Sequence, residues 1–299
     1  MAEIIDGKQI ASEIRQEIAI EVQKLKEKNY YPHLTVILVG ENPASQVYVR
    51  MKKKACDEVG ISTETLTFPD SVEEKELMNT IDSLNKNSTV HGILVQLPLP
   101  SHIDENRIIE KISPDKDVDG FHPINMGKLT LGLEGGFVPC TPAGILELLL
   151  RTNHSPEGKH VVIVGRSNIV GKPLGFLLLR KQKGGNATVT FCHSKTPDLK
   201  SITLKADILV AAVGRAEMIK KDMVKPGCVV IDVGTNRVKD PTKTKGYRLV
   251  GDVDFSEVSK IAQAITPVPG GVGPMTIAFL LKNTLEASKK LKEKEVNIK

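Results

Sequence analysis

The chain has 299 residues, with 41 Lys and Arg against 36 Asp and Glu, a net charge of +5, 40% hydrophobic residues and no Trp. That is enough ordinary globular chain for two domains or one large one. It argues against a nucleic-acid surface built on base stacking, and four scattered cysteines without a C-x-x-C pair argue against a zinc site or a disulfide framework.

The N-terminus, Met-Ala-Glu-Ile-Ile-Asp-Gly-Lys, lacks the apolar core of a secretory signal. No apolar run approaches the roughly 18 residues of a membrane span. The expectation is a cytoplasmic protein with no membrane and no nucleic-acid partner.

Ile10, Ile14, Ile18, Val22 and Leu25 recur at helical spacing and predict an amphipathic helix. The apolar run 34–39 reads as a buried strand closed by Gly40, and Asn42-Pro43 as a turn. A helix is predicted over 44–59, a strand over 62–68, a helix over 72–84 and a short buried strand over 92–96. Leu97-Pro-Leu-Pro100 must then be extended, with room for a cis bond. Strands alternating with helices predict an α/β unit on a parallel sheet.

Residues 113–136 are short polar pieces rich in Gly and Asp and read as loop and domain junction. A helix over 141–150 opens a second α/β unit, with strands over 160–164, 188–192, 208–212, 228–232 and 265–266 and a helix over 172–181. A last helix over 276–291 carries Ile277, Leu280, Leu281 and Leu285 on one face, and the Lys-rich tail beyond it reads as frayed and solvated.

The second unit holds the strongest ligand signal. His160 to Val164 is mostly β-branched, Gly165 ends it, and Gly171 and Pro173 open a helix with Leu174, Leu177 and Leu178 to bury. Strand, glycine turn and helix start make an anion cradle of free N–H groups and a positive helix end, although the spacing is not G-x-G-x-x-G. NAD sites usually place a carboxylate at the end of the next strand. Here that strand ends Phe191-Cys-His-Ser-Lys195, so Ser194, Lys195 and Arg166 offer donors and charge for a 2′-phosphate, which favours NADP.

In the first unit Tyr48 and Lys52 stand i,i+4 on one helix face. A lysine partly desolvated beside aromatic and amide groups loses basicity and can move protons near neutrality, whereas a Lys52-Lys-Lys54 run on its own is also what a solvated face looks like. Gln96 sits at the carboxyl end of its strand, where open sheets bind ligands, or is merely a hydrogen-bonded strand end. The alternating Asp115, Asp117 and Asp119 lack the EF-hand pattern and also fit a turn built on Asx side chains. Pro267-Val-Pro-Gly-Gly-Val-Gly-Pro274 reads as a rigid binding loop or a linker. No metal-ligand cluster is visible.

Taken together, Tyr48-Val-Arg-Met-Lys52, Gln96-Leu-Pro-Leu-Pro100, Asp117-Val-Asp-Gly120, Gly165-Arg-Ser-Asn-Ile-Val-Gly-Lys-Pro173 and Pro267 to Thr276 resemble the signatures of the methylenetetrahydrofolate dehydrogenase/cyclohydrolase family, in the family's order over essentially the whole chain. The resemblance implies two α/β domains, the second Rossmann-like and NADP-binding, with the active-site cleft between them. It implies a folate-binding catalytic domain of 1–140 plus 276–299 and a nucleotide domain of 141–275. It further implies oxidation of 5,10-methylenetetrahydrofolate by NADP and hydrolysis of the methenyl product to 10-formyltetrahydrofolate.

By the same resemblance Lys52 handles the proton in hydrolysis, Gln96 orients and tunes it, Tyr48 lines the folate, and Asp119 holds the pterin's amide edge. Ser45, Leu97, Pro269, Gly270 and Gly271 join the folate site, with a cis Val268–Pro269 bond. Thr141, Gly165, Arg166, Ser167, Ile169, Val170, Gly171, Pro173, His193 and Ser194 touch the cofactor, as do the strand ends Ala212, Val213, Gly214, Asp232, Val233, Gly234 and Thr235. Polyglutamylated folates and a homodimer through the nucleotide domain are the implied partners. A monofunctional member, or a binding regulator without catalysis, would carry much of the same pattern.

Overall fold

The computed structural model describes residues 1–243 and 246–298. Its elements begin β1 (Glu3–Ile4), α1 (Gly7–Lys26), β2 (His33–Val39), α2 (Pro43–Val59), β3 (Ser62–Phe68), α3 (Glu74–Lys86) and β4 (Gly92–Val95). There follow α4 (Glu105–Lys111), α5 (Pro123–Leu131), α6 (Cys140–Arg151), β5 (His160–Val164), α7 (Gly171–Leu179), β6 (Thr188–Cys192) and α8 (Leu199–Thr203). The chain ends with β7 (Ile208–Ala211), β8 (Val229–Asp232), β9 (Asn236–Lys239), β10 (Tyr247–Val250), α9 (Phe255–Val258), β11 (Ala264–Ile265) and α10 (Val272–Ile298).

Two compact units result. One comprises Ser12–Cys140 and Ile277–Lys299, the other Met1–Ala11 and Thr141–Thr276. The first eleven residues therefore pack with the second α/β unit, not with residues 12–140 as the sequence reading has it. The reason is β1, which pairs in parallel with β11, and the Lys8 amide, which donates to Gly270 O at 2.9 Å. A two-residue strand leaves no hydropathy pattern to read.

In the unit of residues 12–140 and 277–299, the sheet has the order β3-β2-β4, all parallel. β2 is the central strand and is buried along nearly its whole length, as both-face coverage demands. Val39, Leu77, Ile81, Ile93 and Val95 form one core against it. Each fully buried Ile or Leu of this kind contributes about 1.5–3 kcal/mol of transfer free energy.

In the other unit six parallel strands run β1-β11-β8-β7-β5-β6. The order reverses beside β5, so the carboxyl ends of β5 and β7 flank a topological switch point, where open sheets take their ligands. β9 and β10 form a separate antiparallel pair, with the Arg237 guanidinium 5.0 Å from the Tyr247 ring centre.

Two expectations fail locally. Residues 113–136 contain a helix, α5, where the sequence reads as loop. His122 caps it by accepting from the Ile124 amide at 3.0 Å, Pro123 starts it, and Gly132 ends it at φ 71°. Only Asn125 and Leu129 of α5 are buried, so it carries no apolar stripe. The Lys-rich tail is helical to Ile298 instead of frayed. Its lysines find partners: Lys292 lies 4.7 Å from the Tyr30 ring centre, and Lys294 Nζ 2.5 Å from Asp115.

Candidate active site

α2 places the first cluster. Asn42 caps it by accepting from the amides of Ala44 and Ser45, Pro43 suits its first turn, and Gly60 ends it in the left-handed region at φ 80°. Ser45, Val49, Lys52, Ala55, Cys56 and Val59 form its buried face. Lys52 is therefore not a surface lysine: only 8% of it is exposed. Its neighbours Lys53 and Lys54 are exposed, which is why the run as a whole resembles a solvated face. Tyr48, one turn earlier, is 44% exposed and free to line a ligand.

Lys52 Nζ donates to Gln96 Oε1 at 3.0 Å. Gln96 follows β4, its amide continuing the sheet ladder to Ile37 O. Its side-chain nitrogen donates to Leu97 O at 2.7 Å, so the carbonyl end must face the lysine. The Leu97–Pro98 bond is cis. Burial pushes the Lys52 ammonium down from the usual lysine range, while the charge of Asp119 pulls it back up. Asp119 is raised by burial and lowered by Lys52 and by the Cys140 thiol. Burial thus opposes the charge on both groups, and their attraction for each other opposes burial.

The segment around Asp119 divides its labour. Lys116 is buried and its Nζ donates to Leu84 O at 2.9 Å and Asn87 O at 2.7 Å, closing the end of α3. Asp117 is buried and accepts from the amides of Gly120, Phe121 and His122 and from Asn125 Nδ2. Both are structural, so of the alternating aspartates Asp119 alone joins the lysine. Two further neighbours escape sequence reasoning. Cys140, which reads only as one of four scattered cysteines, is buried with its thiol donating to Val118 O at 3.3 Å. Asn283 on α10 donates to Val118 O at 2.9 Å and Val138 O at 3.1 Å, which pins the residue preceding Asp119.

The nucleotide-like cradle is built in the other unit. Gly165 leaves β5 at φ 135°, and a Cβ there would stand 2.2 Å from Ala212 O. At Gly171 a Cβ would stand 2.4 Å from Gly165 O. Both glycines thus serve close backbone approach. Ser167 Oγ accepts from the amides of Val170 and Gly171 at 3.1 and 3.3 Å. Among the described residues the amides of Ser167, Asn168 and Ile169 have no acceptor within the protein, and Arg166 to Ile169 are exposed. Three open N–H groups before the nine-residue helix α7 form a ready anion site. Ser194 and Lys195 lie exposed after β6, with His193 partly buried beside them.

Pro173 is buried in α7. The Thr141 and Thr276 hydroxyls pair at 2.8 Å. The Val268–Pro269 bond is cis, and the Pro-Gly-rich stretch runs into α10 from Val272, so only its first half is loop. Gly271 is closely packed, because a Cβ on it would stand 2.7 Å from Pro267 O and from Thr266 Cβ. Pro269 and Gly270 are at least partly open.

Asp232 departs from expectation. It is 3% exposed, and its oxygens accept from the amides of Gly234, Asp252 and Val253. Its carboxylate faces the protein and is not available to a cofactor.

Surface concavities of about 520 and 670 Å³ around Asn153, Ser155 and Glu157 are not the site. The former sits beside Lys159, Ile208 and Val229, at the amino ends of the strands, whereas parallel sheets bind at the carboxyl ends. Among the described residues no group of three or more His, Cys, Asp or Glu could hold a metal. Nor is any described helix long and apolar enough to cross a membrane.

Residues 5–119 match the family described as Tetrahydrofolate dehydrogenase/cyclohydrolase, catalytic domain, and residues 139–292 match its NAD(P)-binding domain. The chain is 56% identical over 286 residues to the bifunctional protein FolD of Chlorobium phaeobacteroides, covering 95% of this chain and 96% of that one. Among solved structures it is similar to the bifunctional FolD enzyme of Campylobacter jejuni, with a TM-score of 0.92, 50% identity and coverage of 97% and 99%. It is likewise similar to the FolD of Trypanosoma brucei complexed with NADP and an inhibitor, with a TM-score of 0.91, 42% identity and coverage of 97% and 98%.

Proposed function

The chain belongs to the tetrahydrofolate dehydrogenase/cyclohydrolase family, and we propose on that premise that Lys52, Gln96 and Asp119 form its hydrolytic centre and that the turn after β5 holds its cofactor. The protein oxidises 5,10-methylenetetrahydrofolate to 5,10-methenyltetrahydrofolate with NADP and hydrolyses the product to 10-formyltetrahydrofolate, in one-carbon metabolism.

Hydrolysis needs water activated beside a cationic carbon. Burial lowers the Lys52 pKa and so favours its neutral form, and the neutral amine takes the water's proton as the new C–O bond forms. The same group returns that proton to the pterin N5 as the C–N5 bond breaks, and the remaining hydroxyl proton leaves to solvent as the formyl C=O forms, which is the one proton the reaction releases. Gln96 holds the amine by its Oε1. Asp119 takes the pterin's amide edge, and Tyr48 and Ser45 line the ring. A methenyl cation raises the need for a neutral amine, because an ammonium beside it would be repelled.

The residues after β5 fit NADP. The open amides of Ser167, Asn168 and Ile169 and the Arg166 side chain would hold its phosphates. Ser194 and Lys195 stand where a carboxylate would select NAD, so they favour the 2′-phosphate. When bound, NADP supplies the hydride acceptor. The protein's contribution is to fix the ring positions. Polyglutamylated folates as substrates, a homodimer through the nucleotide unit and a cytoplasmic location complete the proposal.

The single observation behind this reading is a buried lysine held by an amide oxygen and coupled to one carboxyl group. Incubating the protein with methylenetetrahydrofolate and NADP and following methenyl absorbance tests it. The expected trace rises and then decays. No rise removes the dehydrogenase, and a rise without decay removes the hydrolase.

A further inference from the structure

The turn after β7 is organised around an internal anion. Asp252, fully buried, accepts from three successive backbone amides: Val213 at 2.6 Å, Gly214 at 2.9 Å and Arg215 at 2.8 Å. Asn236 Nδ2 donates to it at 2.9 Å. Asp252 is itself held in place, because its amide and that of Val253 donate to Asp232 at 2.8 and 2.9 Å. Glycines make room for the pair: a Cβ at Gly234 would stand 2.2 Å from Asp252, and one at Gly251 1.7 Å from Asp232.

Three consecutive amides turned inward have a consequence for the outer face. A trans peptide is planar with its N–H and C=O opposed, and the only cis bonds among the described residues are Leu97–Pro98 and Val268–Pro269. With the Gly214 and Arg215 amides bonded to Asp252, the carbonyls of Val213 and Gly214 face away from it. Among the described residues neither carbonyl has a donor within the protein, and Gly214 is exposed. This turn is therefore the inverse of the one after β5. There amides stand open for a phosphate; here an internal carboxylate fills the amides and leaves two acceptors outward.

We infer that Asp252 is a positioning residue for the nucleotide cofactor, orienting the Val213 and Gly214 carbonyls to accept from hydroxyl or carboxamide groups of NADP while the phosphates go to the Ser167–Ile169 amides. Both turns leave the carboxyl ends of adjacent strands at the switch point. The inference rests on the proposed NADP site and deepens it. An anion on this turn would meet carbonyl dipoles, so it is a site for donors only.

The test is NADP binding by titration calorimetry and steady-state kinetics on the intact protein, comparing wild type with Asp252→Asn. An amide offers one acceptor atom and turns an NH2 on the remaining amides. The expected result is a rise of about tenfold or more in the NADP Kd and KM, with the dehydrogenase kcat changed by less than about threefold and hydrolysis of supplied methenyltetrahydrofolate unchanged. A normal NADP Kd in the folded variant overturns the inference, as does a loss of kcat with KM intact. If Asp252→Asn does not fold, shown by loss of hydrolysis as well, Asn236→Ala supplies the reading. It removes one of four donors and is expected to raise the NADP Kd about two- to threefold, and an unchanged Kd overturns the inference. Wild type that binds NADP without oxidising methylenetetrahydrofolate removes the assigned reaction yet leaves the calorimetric comparison decisive. Wild type that does not bind NADP removes both.

Discussion

Lys52 Nζ meets Gln96 Oε1 at 3.0 Å, and the Gln96 amide cannot turn around because its other end donates to Leu97 O. The lysine is thus held by a neutral oxygen, with the one carboxyl group that raises its basicity, Asp119, coupled from another segment. The arrangement makes opposite changes at the two positions move one titration in opposite directions.

Because the Asp119 charge raises the Lys52 pKa, Asp119→Asn lowers it further below 10.5. The rising limb of the hydrolysis pH profile, read at saturating folate, then shifts to lower pH. Gln96→Glu places a carboxylate on the amine, raises its pKa and shifts the limb to higher pH, with slower hydrolysis at neutrality. A shift of one pH unit corresponds to about 1.4 kcal/mol. Shifts of the same sign in both variants would remove the neutral amine as the active form.

Asn283→Ala leaves the Val138 carbonyl without its Asn283 donor and the Val118 carbonyl with the Cys140 thiol alone. The expected cost is about 1–3 kcal/mol of stability in denaturant unfolding. With the residue before Asp119 no longer pinned, folate affinity falls while NADP affinity by calorimetry stays within about twofold of wild type. Equal losses of both ligands would show a general defect in place of a local one.

Gly165→Ala combines a strained φ of 135° with a Cβ 2.2 Å from the Ala212 carbonyl. The turn after β5 must open to admit it. Destabilisation of about 2 kcal/mol or more and a raised NADP KM are expected, with hydrolysis of supplied methenyltetrahydrofolate retained. An unperturbed melting temperature would contradict the stated backbone geometry.

Arg166→Ala removes an exposed charge from the same turn. It is expected to raise the KM for NADP several-fold, more at low than at high ionic strength because an exposed charge is screened, and to leave the folate KM nearly unchanged. A larger change in the folate KM would reassign Arg166.

What the sequence made legible was periodicity and punctuation. β2 and β5 are continuous β-branched or apolar runs, α2 is bounded by Asn42-Pro43 and Gly60, and the strand ends of the proposed nucleotide site follow from order alone. The Lys52 environment was less so, since Lys53 and Lys54 share its chemistry and only burial separates them. α5 stayed hidden because its inward residues include Asn125, and β1 because two residues make no pattern. Asp232 was misjudged for a different reason. A carboxylate at a strand end fits a cofactor contact equally well, and only the backbone amides of Gly234, Asp252 and Val253 show which way it faces. Asn283 and Cys140 lie 165 and 22 positions from Val118, whose carbonyl both donate to; such meetings are tertiary and leave no local trace.

The most direct measurement is a stopped-flow record of methenyl absorbance for wild type and Lys52→Met, each mixed with methylenetetrahydrofolate and NADP. With the buried amine gone, the methenyl signal should rise and stay, while wild type rises and decays. Decay at the wild-type rate in Lys52→Met would contradict the assignment of proton transfer to this lysine.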